Sequence, residues 1–363
     1  MSKILVLANH YNTLRIFRRE LLMRMASDGH EIMIIIPECD EKNKILLESY
    51  GCKVEFAAME RRGMNPFKDI TLFSTYLKFI HSYKPDKVIT YTIKCNIYGA
   101  MACKIKKIPC YVNITGLGSA FQGQGRTRKL VSYMYKHSLN KVEKIFFENE
   151  GNRATMVNDG LVKYSQTVVM AGAGVNLEEF QVKPYPLEDE GIRFLFVGRI
   201  MAEKGVDELF QAIKEIRKTY QNTIFEFIGW YEENYKEKVN KLQKEGYICF
   251  YGFQENVKPY IQRAHCIILP SWHEGMSNTL LEAASMGRPL ITSKIHGCME
   301  TVNEGKSGLL VEVKNADDIC DKIKKFLELS FEEREKMGMN GRKYMEDHFD
   351  KQQVVEKTIK EIF

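Results

Sequence analysis

Residues 266–282 read CIILPSWHEGMSNTLLE: an apolar run that stops at a proline, turns at a glycine and then takes on helical character. Cys266–Leu269 has the length and side chains of a buried strand. Pro270 ends it, and Gly275 permits a tight turn. Met276, Ser277, Asn278 and Thr279 then open a helix whose leading N–H groups have no acceptor within the helix. Strand, turn and helix in this order form half of a βαβ unit, the building block of a parallel sheet with helices on its faces.

The same rhythm extends in both directions. Toward the N-terminus of this half, strands are predicted over Arg193–Val197, Ile224–Ile228 and Ile248–Tyr251, with helices over Val206–Tyr220 and Tyr235–Glu245. Pro289–Thr292 and Leu309–Val311 continue it, and Phe331–Phe363 reads as helical and rich in charge. Upstream, strands are predicted over Lys3–Ala8, Glu31–Pro37, Lys53–Phe56, Lys87–Tyr91, Cys110–Ile114, Lys144–Phe147 and Thr167–Met170, with a helix over Ile16–Asp28. Gln181–Glu190 (QVKPYPLEDE) interrupts the alternation with two prolines and several acids, and reads as a linker. The fold class expected is therefore α/β. Two doubly wound, Rossmann-like parallel-sheet domains face each other across a cleft at the carboxyl ends of their strands.

Bulk properties narrow the class. The chain has 363 residues, enough for two ordinary domains. No run approaches the roughly 20 apolar residues that span a bilayer, and the N-terminus lacks the layout of a signal peptide. A cytoplasmic protein is expected. The nine cysteines include no C-x-x-C pair, so reduced, mostly buried thiols are expected rather than disulfides or a zinc site. Residues 1–180 hold 26 Lys and Arg against 17 Asp and Glu, a net +9; residues 181–363 hold 27 against 30, a net −3. A basic half invites an anionic partner, phospholipid or pyrophosphate, or is simply a solvated surface. No nucleic-acid motif is present, and no G-x-G-x-x-G follows either first strand, which argues against a dinucleotide dehydrogenase.

Two loops carry the chemistry. In Phe196–Gly205 (FVGRIMAEKG), Gly198 ends a strand, so that backbone can approach a ligand, and Arg199 and Lys204 set two cations ahead of a helix. A bidentate guanidinium and a point-charge ammonium suit a diphosphate. In Pro270–Glu282, Glu274 precedes the turn and Glu282 lies about two helical turns further on, on a similar face. Carboxylates accept from the paired hydroxyls of a sugar or ribose.

These strings resemble the family-4 retaining glycosyltransferases of the GT-B fold. The resemblance rests on G-R-x(4)-K-G at Gly198–Gly205, P-S-x(2)-E-G-x(2)-N-x(2)-L-E at Pro270–Glu282 and G-C-x-E-x-V at Gly297–Val302. Gly172–Phe180 (GAGVNLEEF) is similar to a further family segment, with Asn176 where an acid is usual. The resemblance implies that Arg199 and Lys204 neutralise a leaving diphosphate, Glu274 contacts the donor sugar and Glu282 the ribose. It further implies that Gly275, Met276, Ser277, Asn278 and Thr279 line the donor, with the base near Gly252, Phe253 and Gln254. Transfer would retain anomeric configuration, with stabilisation of the leaving group as the main catalytic contribution.

In the first half, T-G-L-G within Asn113–Phe121 and the run Tyr91–Gly99 are similar to a bacterial branch that builds capsular, O-antigen or N-linked glycans on undecaprenyl diphosphate. The resemblance implies a UDP-sugar donor, a lipid-linked glycan acceptor and an anionic inner-membrane surface as partners, with no nucleic acid. Acceptor contacts are expected at Asn9, His10, Lys94, Asn96, Thr115, Gly116 and Gly118. Arg61, Arg62, Lys104, Lys106, Lys107, Arg126, Arg128 and Lys129 are candidates for diphosphate or lipid, or serve solubility alone. No D-x-D triplet occurs, and no cofactor or metal is expected. The expected organisation is an acceptor domain over 1–180, a linker over 181–190, a donor domain over 191–345, and a C-terminal helix over 346–363 packing back on the first domain. A nucleotide-sugar epimerase and a non-catalytic nucleotide-binding scaffold are the alternatives.

Overall fold

The computed structural model describes residues 1–60, 65–118, 121 and 125–363 of the chain. It divides into two compact units, Met1–Ala173 with Gln352–Phe363, and Gly174–Lys351. Among the described residues the first unit holds a parallel seven-stranded sheet and the second a parallel six-stranded sheet.

In the first unit the strands are β1 (Lys3–Leu7), β2 (Glu31–Ile36), β3 (Cys52–Phe56), β4 (Lys87–Tyr91), β5 (Cys110–Ile114), β6 (Lys144–Phe147) and β7 (Thr167–Val169), in the order β3-β2-β1-β4-β5-β6-β7. Their apolar runs are continuous because both faces are covered. One face packs Leu5, Ile35, Val88 and Val112 against Leu72, Tyr76 and Tyr135 from helices. The other packs Ile4, Ile34 and Ile89 against Leu21, Leu22 and Met25, and also against Val354, Val355 and Ile362 of the C-terminal segment. That segment is fastened by Tyr111 Oη donating to the Ile362 carbonyl (3.0 Å) and by the Lys144–Glu361 ion pair (3.2 Å).

The second unit contains β8 (Ile192–Val197), β9 (Thr223–Ile228), β10 (Cys249–Phe250), β11 (Cys266–Leu269), β12 (Leu290–Ser293) and β13 (Gly308–Val311), ordered β10-β9-β8-β11-β12-β13. Its core is aromatic. Phe194 stacks on Phe225, Phe196 on Phe227, and Phe210 and Phe326 close over them.

Three sequence expectations change. The helix expected over Ile16–Asp28 is two helices, Tyr11–Phe17 and Arg19–Ser27. The break falls at Arg18, a buried residue whose guanidinium pairs with Glu148 at 3.0 Å and lies over the Tyr91 ring. The helical stretch Phe331–Phe363 is also two helices, Phe331–His348 and Lys351–Ile362. Between them the Val175 N–H reaches the Phe349 carbonyl and the Lys351 N–H reaches the Val175 carbonyl. The expected boundary after residue 180 falls instead between Ala173 and Gly174, so Gln181–Glu190 belongs to the second unit. Its backbone is held there by Arg288, fully buried, which donates to the carbonyls of Lys183 and Pro184; Tyr185 donates to His265 and Glu188 pairs with Arg334.

All nine cysteines are free thiols, most of them buried. Among the described residues no helix is long and apolar enough to cross a membrane.

Candidate donor and acceptor sites

In each sheet the strand order reverses once, and the loops at that reversal are where open parallel sheets hold ligands. In the second unit the reversal lies between β8 and β11. The loops that follow these two strands are Gly198–Gly205 and Pro270–Ser277, the pair singled out from sequence.

Glycines lock these loops together. Gly205 has φ +69°, and a Cβ there would lie 2.0 Å from the Pro270 carbonyl oxygen. Gly297 has φ +90°, and a Cβ there would lie 2.5 Å from the Gly275 carbonyl oxygen. The Trp272 N–H donates to the Glu203 carbonyl (2.9 Å), and the Ser277 N–H to the Gly297 carbonyl (2.9 Å). Three loops are thereby sewn into one floor. Gly198 is different: its φ is not positive, and an added Cβ would meet nothing closer than 3.4 Å. Nothing inside the protein requires glycine there, which leaves its open side to a ligand.

On this floor Lys204 Nζ is ion-paired with Glu274 Oε1, and Ser271 Oγ donates to the same oxygen at 2.9 Å. Both charged side chains are mostly covered. Arg199 lies nearby in sequence on the same loop, and its guanidinium is 3.9 Å from Glu232, beyond hydrogen-bond reach. It therefore keeps donors available for an anion. Met276 and Ser277 are buried, and Ser277 occupies the N-cap of the helix Asn278–Ser285 without a side-chain cap bond. The first amides of that helix, from Asn278 and Thr279, have no intrahelical acceptor and carry the positive end of the helix dipole. Further along the helix, Glu282 has its carboxyl pushed up to about 7, chiefly by burial and also by Glu179, against the opposing pull of Lys351 and Lys258.

After β10, Phe253 is exposed, while Gln254 folds its amide back onto the Tyr251 carbonyl (2.8 Å). Sequence reasoning missed Trp230. Its half-exposed ring meets Phe253 edge-on, with centroids 5.7 Å apart, and its Nε1 donates to Glu232. The signal was present: Trp230 follows Gly229 directly after β9, and a Cβ on Gly229 would lie 1.8 Å from the Gly198 carbonyl oxygen. Trp230 is therefore drawn to the donor loop.

In the first unit the reversal lies between β1 and β4. Asn9 and His10 follow β1. His10 caps the helix Tyr11–Phe17, with Nδ1 accepting from the Asn12 N–H at 3.1 Å, so that nitrogen has a structural role. Lys94 follows β4 and pairs with Asp69 at 2.8 Å, where Tyr98 also donates. Thr92 between them has φ +76°, rare for a β-branched residue. Gly116 and Gly118, after β5, both have positive φ, and a Cβ on Gly118 would lie 3.3 Å from Ile93; Thr115 beside them is half-buried. Asn96 does not fit the expectation of a ligand contact. It is 1% exposed, accepts from Thr90 Oγ1 (2.8 Å) and donates to the Asn113 carbonyl (2.8 Å). Its amide is used inside the protein, joining β4 to β5. Of the cationic candidates, Arg61 and Arg62 lie outside the described residues, and Arg128 pairs with Asp159.

Paired Rossmann-like units, one of them gathering cations, a carboxylate and a helix N-terminus at its strand reversal, define the GT-B class of glycosyltransferase. Comparison with known proteins agrees. Residues 178–344 match the family "Glycosyl transferases group 1", and residues 3–149 match "Glycosyl transferase 4-like". The chain belongs to this glycosyltransferase family. It is 27% identical over 330 residues, covering 86% of each chain, to the N,N'-diacetylbacillosaminyl-diphospho-undecaprenol alpha-1,3-N-acetylgalactosaminyltransferase of Campylobacter jejuni. It is 26% identical, over 84% of each chain, to the capsular polysaccharide biosynthesis glycosyltransferase CapM of Staphylococcus aureus. It is 25% identical to the UDP-Gal:alpha-D-GlcNAc-diphosphoundecaprenol alpha-1,3-galactosyltransferase of Escherichia coli, covering 72% of this chain and 71% of that one. In fold it is similar to Anabaena HepE, solved with UDP and glucose, with a TM-score of 0.81 over 99% of both chains at 16% identity.

Proposed function

We propose that this glycosyltransferase moves a hexose or N-acetylhexosamine from a UDP-sugar to a glycan carried on undecaprenyl diphosphate, with retention of anomeric configuration, at the cytoplasmic face of the membrane. The observation that carries this reading is the meeting of Lys204 and Glu274 on adjacent loops at the reversal of the second sheet. A diphosphate there would exchange the carboxylate partner of Lys204 for phosphate oxygens. Arg199 and the amides of Asn278 and Thr279 would share the growing negative charge of the leaving group, the role a metal ion serves elsewhere. Glu274, released from Lys204, would accept from hydroxyls of the sugar. Glu282 would hold the ribose, and Trp230 with Phe253 would face the base.

The substrate class draws on the relatives. The Campylobacter jejuni and Escherichia coli proteins are both named for acceptors on diphospho-undecaprenol, and the latter for a UDP-sugar donor. The test is incubation of the full chain with a panel of UDP- and GDP-sugars, a chelator and an undecaprenyl-diphosphate-linked sugar. Products are read by mass and the new anomeric proton by NMR. An acceptor gaining one sugar in the donor's α configuration, with chelator present, supports the reading. Sugar interconversion without acceptor, or no product from any donor, opposes it.

A further inference from the structure

The two donor loops pair twice, side by side and with opposite polarity. Lys204 of the first loop meets Glu274 of the second. One residue back on each loop, Glu203 meets His273, with Oε2 and Nε2 3.1 Å apart. The carboxylate accepts and Nε2 donates, in the neutral ring as in the charged one. Glu203 is joined to the second loop again through its backbone carbonyl, which accepts from the Trp272 N–H at 2.9 Å.

The two pairs differ in setting. The side chains of Lys204 and Glu274 are each 14% exposed, and those of Glu203 and His273 are 27% and 39% exposed. Glu203 and His273 therefore form the outer pair, and a pair so open to water adds little to stability. Its use lies in geometry. Gly205 against Pro270, and the Ser277 N–H on the Gly297 carbonyl, hold the two ends of the second loop. Between those ends it is joined to the first loop by the Trp272 N–H and by these two side-chain pairs. Ser271 donates to Glu274 at 2.9 Å, but it belongs to the same loop and would move with it.

We propose that His273 is a positioning residue for Glu274: anchored on Glu203, it holds the second loop in place while Lys204 changes partners. A diphosphate that takes Lys204 removes the inner link at the moment when Glu274 has to hold the sugar. Nothing in that exchange uses Glu203 or His273, so the outer link survives it and keeps Glu274 aimed. Small errors of placement at a reacting centre are costly in rate even when binding is intact. The proposal rests on the function proposed above for when the latch is needed, whereas the latch itself is a property of the two loops.

The test uses the full chain with His273→Phe, which keeps a ring and loses the donor, and His273→Gln, which keeps an N–H donor. Each is also placed in a Lys204→Ala background, and urea midpoints establish that all are folded. Amide hydrogen exchange over residues 271–275 reads the latch without substrate. Lys204→Ala alone is expected to leave these amides protected. Lys204→Ala with His273→Phe should speed their exchange about tenfold or more, and His273→Gln in the same background should restore protection. In transfer, His273→Phe should lower kcat about ten- to a hundredfold, with calorimetric affinity for UDP unchanged, and His273→Gln should recover most of the loss. Exchange that His273→Phe does not alter in the Lys204→Ala background overturns the proposal. So does a wild-type kcat in His273→Phe, or an equal loss of kcat and UDP affinity in both variants, because the histidine would then only shape its loop. A wild type that transfers no sugar from any donor would sink the function proposed above, and the exchange measurement would then decide the latch by itself.

Discussion

Lys204 and Glu274, separated by 69 intervening residues, form an ion pair at the reversal of the second sheet, and Gly205 makes the pairing possible by seating its α-carbon against the Pro270 carbonyl. The two loops are fitted to each other before any donor arrives. In the proposed reaction such preorganisation would set charge for the leaving group without a rearrangement of backbone.

The glycines of the donor loop should therefore separate by role. Gly205→Ala puts a Cβ 2.0 Å from a carbonyl oxygen at φ +69°, and is expected to cost on the order of 1–3 kcal/mol or more in urea unfolding. Gly198→Ala meets no neighbour closer than 3.4 Å and should leave stability within about 0.5 kcal/mol, yet weaken donor binding. Equal stability losses at both positions would contradict this.

Glu282 should make stability and donor binding depend on pH. Burial raises its carboxyl from the ordinary 4.5 to about 7. Between those values the native chain holds a proton that the unfolded chain has lost, so its contribution to stability falls as pH rises through the window. Glutamine has no proton to lose. Glu282→Gln should gain stability relative to wild type from pH 4.5 to 7, measured by denaturant midpoints. Parallel profiles would rule this out. Wild-type affinity for UDP should rise through about pH 7 more steeply than the variant's, which keeps only the pH dependence of UDP's own terminal phosphate.

Trp230 and Phe253 should matter for the base and not for the phosphates. Trp230→Ala or Phe253→Ala is expected to weaken UDP about tenfold or more while leaving inorganic pyrophosphate unchanged, by calorimetry. A matching loss for pyrophosphate would show that the aromatic pair only supports the loop.

Much of this was legible in the sequence, for a physical reason. Strands buried on both faces are continuous apolar runs, so β4, β5, β6 and β11 lie where the sequence predicts them. The paired loops were legible because Gly, Arg, Lys and Glu at strand ends have few structural uses there. Elements that depend on distant partners were not legible. Nothing local to Arg18 shows that Glu148 will draw it inward and break a helix. Nothing near Phe349 foretells its hydrogen bond to Val175. Trp230 carries one local hint, its place after Gly229 at a strand end, but its position against the donor loop depends on Gly198, far off in sequence.

Asn96 shows the opposite error, a polar residue in a promising motif that is wholly occupied within the core. Asn96→Ala leaves Thr90 Oγ1 and the Asn113 carbonyl without their partner. The expected cost is roughly 1–3 kcal/mol in unfolding free energy, with the KM for acceptor unchanged in the folded fraction. A selective rise in that KM with no loss of stability would return Asn96 to the acceptor site.

The most direct test of the donor site is calorimetric titration of UDP into the wild type, Lys204→Ala and Glu274→Ala, alongside their rates of sugar transfer. The account predicts that Lys204→Ala loses about 10- to 100-fold in UDP affinity, the worth of a charge-assisted contact to phosphate. Glu274→Ala should bind UDP at least as well as the wild type, because Lys204 no longer has a partner to leave, while its transfer rate drops by at least about a hundredfold. Wild-type UDP affinity in Lys204→Ala, with transfer intact, would contradict the account.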